Sequence, residues 1–571
     1  RRVKRRAKRT CTFDKERHMK PSDQLIRDVT EAYLHTLNRA ALPTIDQIAE
    51  TLVTQTSTAC AAYNTSVDKS MKIKPPTSLL PAQIGAVILE LFHVCRIAVT
   101  ENNLSGTVLA LYQTDGPNRG IYDTNEETIK NLISRLKWSI TTREIDEVMA
   151  YLNRMAAVRT RCLDRDLIPV DNGIFNYATK QLIPFTPDLV FTVKSHVAYN
   201  PQATNVTIHN NDDGTDWDVE SWMHTLSDDD DVVSLLWEVL GAIIRPNVRW
   251  NKSAWLYSET GNNGKGTLCE LMRSLCGFGS YASIPISDFG KDFMLEPLLS
   301  VSAIIVDEND VGSYIDRAAN LKAVITNDVI QVNRKFKTPV PLQFRGFMVQ
   351  CLNEFPKIRD RSDSVYRRQL FIPMEKCFTG KERRYIKNDY LHRNEVLEYV
   401  LKRVLESNYY ELSCPASCQL TMNEYQVYND PVRQFFDDVR HELAWDFLPF
   451  AFLYDLYCAW MKKNNPSGNL VGSLTFRKNI ENIIHEYPEW QLCGKNPSGG
   501  YDRVSPKEMI ERPEYLSLEY DLKNWLQPHA NTMRDDLACV PPAKGQYRGG
   551  LIRTTAIANI AQTGTPGECA G

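Results

Sequence analysis

The pattern of apolar and polar residues in the middle of the chain predicts strands that alternate with helices. Short apolar runs at residues 255–257, 301–306 and 346–352 predict buried strands of a parallel sheet. After the first run, apolar side chains recur at helical spacing up to Gly277, which predicts an amphipathic helix carrying Leu268, Leu271, Met272, Leu275 and Cys276. This alternation favours an α/β core.

A loop rich in glycine and asparagine separates the first strand from this helix. Its backbone amides, the positive end of the helix and the charge of Lys265 suit nucleotide phosphates, and the alternative is an ordinary surface turn. The strict phosphate-loop pattern is not met, because Glu259 replaces its first glycine and Gly266 follows the lysine, so Thr267 must supply the hydroxyl. The predicted nucleotide-binding residues are Gly261, Asn262, Asn263, Gly264, Lys265, Gly266 and Thr267.

Two acids follow the second strand, at the sheet edge where α/β proteins bind ligands. We predict that Asp307, with Thr267, holds Mg²⁺ and that Glu308 polarises the water that attacks the γ-phosphate of ATP. The alternative is a solvated acidic turn after an ordinary strand.

Two further polar residues complete the predicted catalytic set. Asn353 follows the third strand, where an amide orients the attacking water, although an asparagine there also caps turns. Arg368 is predicted to stabilise transition-state charge on a neighbouring subunit's nucleotide. The alternative for Arg368 is a solvated surface arginine.

Two alternating runs between residues 329 and 344 predict a β-hairpin with a basic tip. Cations beside an aromatic ring suit a nucleic-acid backbone without sequence readout. The alternative is an exposed hairpin whose lysines keep a sheet edge soluble. The predicted DNA-binding residues are Arg334, Lys335, Phe336 and Lys337.

In order and approximate spacing, these motifs resemble those of superfamily 3 helicases, and most closely the phage, plasmid and poxvirus-type primase-helicase branch. The resemblance covers roughly residues 85–375, including Asp171–Phe175 and Ala198–Pro201 of a domain that precedes the motor, and more faintly the region after residue 430. It implies an AAA+-like P-loop ATPase that forms a ring, commonly a hexamer, with ATP and Mg²⁺ at subunit interfaces. It also implies that the hairpins grip one DNA strand in the central pore. Papillomavirus-type relatives have a histidine where this chain has Phe336.

The length of 571 residues suits several domains. We predict a basic arm and helical extension over residues 1–78 and a family-type domain preceding the helicase over 79–245. The ATPase core follows over 246–376, then a helical or winged-helix C-terminal domain over 377–545 and a flexible tail over 546–571. The acidic run Asp228–Asp231 is predicted to cap the helix that follows it.

Composition narrows the functional classes. A net charge of −3 creates no global field for nucleic acid, so affinity must come from local basic elements. The fourteen cysteines lack metal-like pairing and are expected to be reduced thiols of a cytoplasmic protein. No apolar run is long enough to span a membrane, and no signal peptide is evident.

The sequence therefore predicts an ATP-dependent replicative DNA helicase of a phage, virus or mobile element that acts on forked duplex DNA. The alternatives are an origin-melting or loading ATPase and a DNA-bound scaffold with a structural nucleotide site. The chain begins at arginine rather than methionine, and residues 10–75 show no primase motif. We expect a primase module to lie upstream or on a separate protein.

Overall fold

The computed structural model describes residues 20–38, 41–100, 103–309, 318–335, 337–356, 358, 363–464, 470–493, 503–504, 513–526 and 547–556. The chain forms two compact units. One comprises Arg1–Glu354 and Arg367–Cys418, and the other comprises Phe355–Tyr366 and Gln419–Gly571. Residues 377–418, which were predicted to belong to the C-terminal domain, thus pack within the first unit, and the other predicted boundaries stay predictions.

The first unit begins with helices packed on a small sheet, in which the strand order is β3-β2-β1-β4. Local signals start several helices. At the start of the last helix in this segment, the Thr141 hydroxyl accepts a hydrogen bond from the Glu144 amide, and the Glu144 carboxylate accepts one from the Thr141 amide. The elements are α1 (Pro21–Thr36), α2 (Ile45–Thr65), α3 (Pro81–Leu91), β1 (Val94–Thr100), β2 (Asn103–Tyr112), β3 (Tyr122–Asp123), α4 (Glu126–Leu136), α5 (Thr142–Met155) and β4 (Val158–Arg159).

Short antiparallel strands and two helices follow. The acidic run does cap a helix as predicted, because the Asp229 carboxylate accepts a hydrogen bond of 3.0 Å from the Asp231 amide. The helix it starts is apolar on almost every side and is buried accordingly. The elements are β5 (Leu167–Val170), β6 (Gly173–Asn176), β7 (Gln181–Ile183), β8 (Ile208–His209), β9 (Asp216–Trp217), α6 (Val219–His224) and α7 (Asp230–Ile244).

A five-stranded parallel sheet forms the centre of the first unit, in the order β11-β12-β15-β10-β16. The predicted strands, amphipathic helix and hairpin are all present. Strands β10, β12, β15 and β16 are buried along their whole length, as expected when helices cover both faces. The elements are β10 (Ser253–Tyr257), α8 (Lys265–Cys276), β11 (Tyr281–Ala282), β12 (Ala303–Val306), α9 (Ala319–Ile325), β13 (Val329–Arg334), β14 (Lys337–Gln343), β15 (Phe347–Leu352), α10 (Asp363–Tyr366), β16 (Gln369–Pro373), α11 (Arg384–Asn388) and α12 (Asn394–Glu406).

The second unit has its own aromatic core, which includes Phe435, Trp445, Trp460 and Phe476. Its antiparallel sheet has the order β17-β21-β18. The remaining elements are α13 (Ala416–Asn429), α14 (Pro431–Val439), β17 (Phe447–Pro449), α15 (Phe450–Asn464), α16 (Ser473–Ile483), β18 (Trp490–Leu492), β19 (Arg503–Val504), α17 (Leu516–Glu519), β20 (Tyr547–Arg548) and β21 (Gly550–Arg553).

The described part of the chain contains no helix with the length and apolar character needed to cross a membrane. The order of its helices and strands makes the chain a mixed α/β protein, and the buried parallel sheet forms the centre of its first unit.

The contact between β12 and β15 leaves no room for a side chain at Gly346, the residue that precedes β15. A Cβ atom at Gly346 would lie 2.0 Å from the Ser302 carbonyl oxygen. We predict that Gly346→Ala destabilises the first unit by about 3 kcal/mol and lowers its melting temperature. Gly261→Ala is the control, since no atom lies within 4 Å of a Cβ atom there. Equal melting temperatures for the two variants would contradict this account of the sheet.

Candidate active site

The loop between β10 and α8 has a backbone that few residues other than glycine adopt. Gly264 has φ of +86° and Asn262 has φ of +57°. A Cβ atom at Gly264 would also lie 2.7 Å from Leu226 Cδ2, so space and conformation both require glycine. The turn ends directly at the N-terminus of α8, where backbone amides have no helical partner and can bind an anion.

Lys265 is the first residue of α8 and is only 7% exposed. Its amine donates hydrogen bonds to Asn263 Oδ1 at 2.7 Å and to the Ser258 carbonyl oxygen at 3.4 Å. Burial lowers the pKa of Lys265, while Cys351 and Asp307 oppose that shift. The amine is thus held at the loop by neutral oxygens.

Asn263 fixes the shape of the same loop. Its side-chain amide donates to Ser258 Oγ at 2.6 Å and to the Thr260 carbonyl oxygen at 2.6 Å. These bonds close the loop on itself, and they account for a buried asparagine beside the lysine. The loop shape is therefore supported by hydrogen bonds within the loop itself.

Asp307 follows β12 and approaches the first turn of α8. A Cβ atom at Gly266 would lie 2.9 Å from Asp307 Oδ1. The strict phosphate-loop pattern has serine or threonine at that position, and here the carboxylate occupies the space of such a side chain. Gly266 and Asp307 therefore depend on each other, and Thr267 is left as the hydroxyl of the turn.

Two cations that the sequence did not indicate also approach Asp307. Arg273 Nη1 lies 4.0 Å and Lys387 Nζ lies 3.9 Å from Asp307 Oδ2. Arg273 is two turns along α8 and Lys387 lies in α11, far away in sequence. No local motif marks either residue, because only folding brings them to this carboxylate.

Asn353 and Glu308 lie at the same sheet edge as Lys265 and Asp307. Asn353 follows β15, which pairs with both β12 and β10, and Glu308 follows Asp307. Both side chains are exposed. The parallel register thus brings four of the five predicted catalytic residues to one edge.

Arg368 is at the opposite edge of the sheet. Its carbonyl oxygen accepts a hydrogen bond of 2.9 Å from the amide of Ser253, where β10 begins. Strand β16 runs parallel to β10 for five residues, a length of about 16 Å. Arg368 is therefore not brought together with Lys265 within one chain.

The predicted hairpin is antiparallel, and Val332 pairs with Val340. Arg334 donates from Nε and Nη2 to the Thr338 carbonyl oxygen, both at 3.2 Å, while Lys335 is exposed. Phe336 and the side chain of Lys337 lie outside the described residues. Arg334 thus stabilises the turn of the hairpin, and the side chain of Lys335 is exposed.

A cavity of about 730 Å³ adjoins the loop and is lined by Asn262, Gly264 and Thr267. Its other walls come from α6 and from the segment that contains Phe378 and α11. The loop and this segment are joined by a 2.8 Å hydrogen bond from the Phe378 amide to the Asn262 carbonyl oxygen. The volume is in the range of small-molecule sites, and the walls combine apolar side chains with four cations and the three carboxylates of Asp216, Asp218 and Glu382.

Three models of protein families match successive parts of the chain. The model of D5 N-terminal-like proteins matches residues 17–228, and the model of poxvirus D5-like proteins matches residues 428–513. A family of unknown function, DUF5906, matches residues 256–368. The chain is therefore similar to D5-like proteins over two segments, which lie on either side of the DUF5906 match.

Comparison of the chain with curated proteins finds no match. Among solved structures, the A form of the apo NrS-1 C-terminal region is 14% identical, with a TM-score of 0.38 over 73% of this chain and 88% of the other. A second structure of that region, residues 305–718, is 12% identical, with a TM-score of 0.40 over 83% and 99%. Values this low carry no functional conclusion.

A pair of buried thiols lies close to Asp307. Cys269 Sγ and Cys351 Sγ are 3.3 Å apart, and both lie within 4.8 Å of an Asp307 oxygen. Their contact, together with burial, raises the pKa of Cys351 well above its ordinary value. The carboxylate oxygen suits Mg²⁺, whereas buried thiols do not.

Asn309 is a positioning residue that the sequence did not indicate. Its amide donates to Gln350 Oε1 at 2.9 Å and to the Cys351 carbonyl oxygen at 3.0 Å, and its Oδ1 accepts from the Ile286 amide at 2.9 Å. These bonds tie the acidic turn to β15. The only sequence signal was its position directly after the two acids.

The contact between Gly266 and Asp307 generates a prediction. Gly266→Ser, which restores the strict phosphate-loop pattern, should lower ATP turnover by up to about 10²-fold, because it displaces the Asp307 carboxylate. Steady-state ATPase assays should be compared with Gly472→Ala, a substitution outside the loop at a position where no atom lies within 4 Å of an added Cβ atom. Turnover by Gly266→Ser at the wild-type rate would show that the position of Asp307 does not matter.

Proposed function

We propose that this protein hydrolyses ATP and uses the energy to translocate on DNA as a replicative helicase of a virus, phage or mobile element. The observation that carries the proposal is the meeting of Lys265, Asp307 and the glycine turn at one sheet edge beside a nucleotide-sized cavity. Such an edge suits phosphate transfer, which requires positioned charge rather than covalent chemistry. The core would then be an AAA+-like P-loop ATPase.

In this proposal each residue at the sheet edge has one task. The loop amides and the Lys265 amine bind the β- and γ-phosphates. Thr267 and Asp307 would hold Mg²⁺, which neutralises phosphate charge when bound. Glu308 polarises the attacking water, and Asn353 orients it. The exposure of Glu308 and Asn353 suits residues that act on a water molecule beside the ligand.

Arg273 and Lys387 extend this assignment. Both side chains lie about 4 Å from the Asp307 carboxylate. Their positive charges therefore compensate the charge of this acid when no metal ion is bound. Lys387 also lines the cavity, where its amine can shift from the carboxylate to a phosphate oxygen.

The division of labour predicts different defects for two substitutions. Lys265→Ala should abolish turnover and weaken nucleotide binding, whereas Glu308→Gln should retain binding and slow hydrolysis roughly 10²–10⁴-fold. Equilibrium binding and steady-state ATPase assays separate the two, and Glu50→Gln on the exposed surface of α2 is the matched control. Unchanged turnover in Glu308→Gln would remove that residue from its role.

Forked-duplex unwinding tests the complete function. We expect ATP-dependent strand separation by the wild-type protein and none by Glu308→Gln. ATP hydrolysis without unwinding would instead favour an origin-melting or loading ATPase. Nucleotide binding without hydrolysis would favour a DNA-bound scaffold.

The position of Arg368 supports action between subunits. It lies about 16 Å along the sheet from the edge that carries Lys265, so it is too far to reach the nucleotide of its own chain. In a ring of identical subunits, such as a hexamer, one face of each subunit meets the opposite face of the next. Arg368 would then stabilise the transition state on the neighbouring nucleotide.

A mixing experiment tests this assignment. Combining Arg368→Ala with Lys265→Ala should restore part of the ATPase activity that each variant lacks, because some interfaces then pair an intact loop with an intact arginine. Mass photometry with DNA and an ATP analogue should show oligomers. A fully active monomer would rule out shared sites.

The DNA contacts belong to the same proposal. The β13–β14 hairpin, with Arg334, Lys335, Phe336 and Lys337, would grip a single strand in the pore through phosphate contacts. The helix–strand–helix–helix–strand order from α14 to β18, together with the later strand β21 between β17 and β18 in one sheet, supports a winged-helix assignment for the second unit. A primase would be supplied by another module or protein.

A further inference from the structure

A second cavity, of about 740 Å³, lies at the edge of the sheet where β10 and β16 begin. Arg165, Arg249, Lys252 and Arg367 line it together with Arg368. Lys252 directly precedes β10 and Arg367 comes two residues before β16, so the sheet itself gathers two of the cations. The cavity is therefore at the opposite edge from Lys265 and Asp307.

The four cations other than Arg368 lack the acidic partners that surface arginines and lysines usually have. Among the described residues, no carboxylate lies within 4.0 Å of Arg165, Arg249, Lys252 or Arg367, and Glu411 is the one acid of the described lining. Elsewhere in the unit cations are paired, as Arg403 is with Glu220 at 3.1 Å. An excess of unpaired positive charge in a concave site attracts anions.

The wall behind the cations is rigid and carries more positive charge. Arg165 stacks on Tyr410, with 4.2 Å from Cζ to the ring centroid, and Tyr410 donates a 2.6 Å hydrogen bond to Asp166. Arg245 is fully buried behind Trp250 and Tyr410, at 5.2 Å and 5.0 Å from their ring centroids. Arginine side chains cover these aromatic rings, so the cavity favours binding of a phosphate over stacking of a base.

We propose that this cavity is a second phosphate-binding site, separate from the loop before α8. Its ligand is the phosphate group of a nucleotide or of a nucleic-acid strand. Guanidinium groups suit it because they donate two parallel hydrogen bonds to phosphate oxygens. Arg249 is exposed and Lys252 is half-buried, so both can reach a ligand without refolding of the wall.

The test variant is Arg249→Gln with Lys252→Gln in the full chain. Its control is Lys72→Gln with Arg143→Gln, which removes the same charge from exposed positions away from both cavities. Two probes are titrated by fluorescence anisotropy. A labelled ATP analogue is tested without Mg²⁺ in a Lys265→Ala background, so that the loop site does not contribute, and a labelled oligothymidylate is tested in a Lys335→Ala background.

We expect at least one probe to bind about tenfold more weakly to the cavity variant than to the control, the effect of losing charge-assisted hydrogen bonds. If the oligothymidylate is affected, the slope of log affinity against log salt should fall by about 1.4, since each lost single-strand phosphate contact contributes about 0.7. The affected probe identifies the source of the phosphate. Equal binding of both probes to the cavity and control variants overturns the proposal, and Arg249→Gln alone repeats the test if the double variant unfolds.

Discussion

Parallel pairing of β12, β15 and β10 is the constraint on which the candidate site depends. In a parallel sheet every strand ends at the same edge, so residues that follow different strands lie close together there. Lys265, Asp307 and Asn353 are separated by more than forty residues at each step and still share one edge. Their proximity is a property of strand direction, and full burial of these strands fixes their register.

Close packing around the loop before α8 determines which residue types fit at its positions. The Asp307 carboxylate occupies the space that a side chain at position 266 would fill, and the Leu226 side chain does the same at Gly264. The first contact explains why glycine replaces the usual serine or threonine at position 266, and the second explains why position 264 keeps the glycine of the common pattern. Asn263 and Asn309 complete the support, because each satisfies backbone and side-chain groups that would otherwise be buried without partners.

Charge is distributed unequally between the two edges of the sheet. At one edge the Asp307 carboxylate lies about 4 Å from both Arg273 and Lys387, so cations and an acid are interspersed there. At the other edge cations gather with little acidic compensation. A chain with a net charge of −3 can therefore present two local sites for phosphate.

The sequence by itself determined the elements and the candidate chemistry of the central sheet. Apolar runs, helical periodicity and the glycine-rich turn act over a few residues, so the strands, α8 and the hairpin could be predicted from local pattern. Tertiary structure alone decided the rest. Arg273, Lys387 and Asn309 reach the site from places without a motif, and Arg368 lies across the sheet because its strand begins where β10 begins. The cations of the second cavity come from distant segments, and no local signal in a sequence records which distant residues will meet.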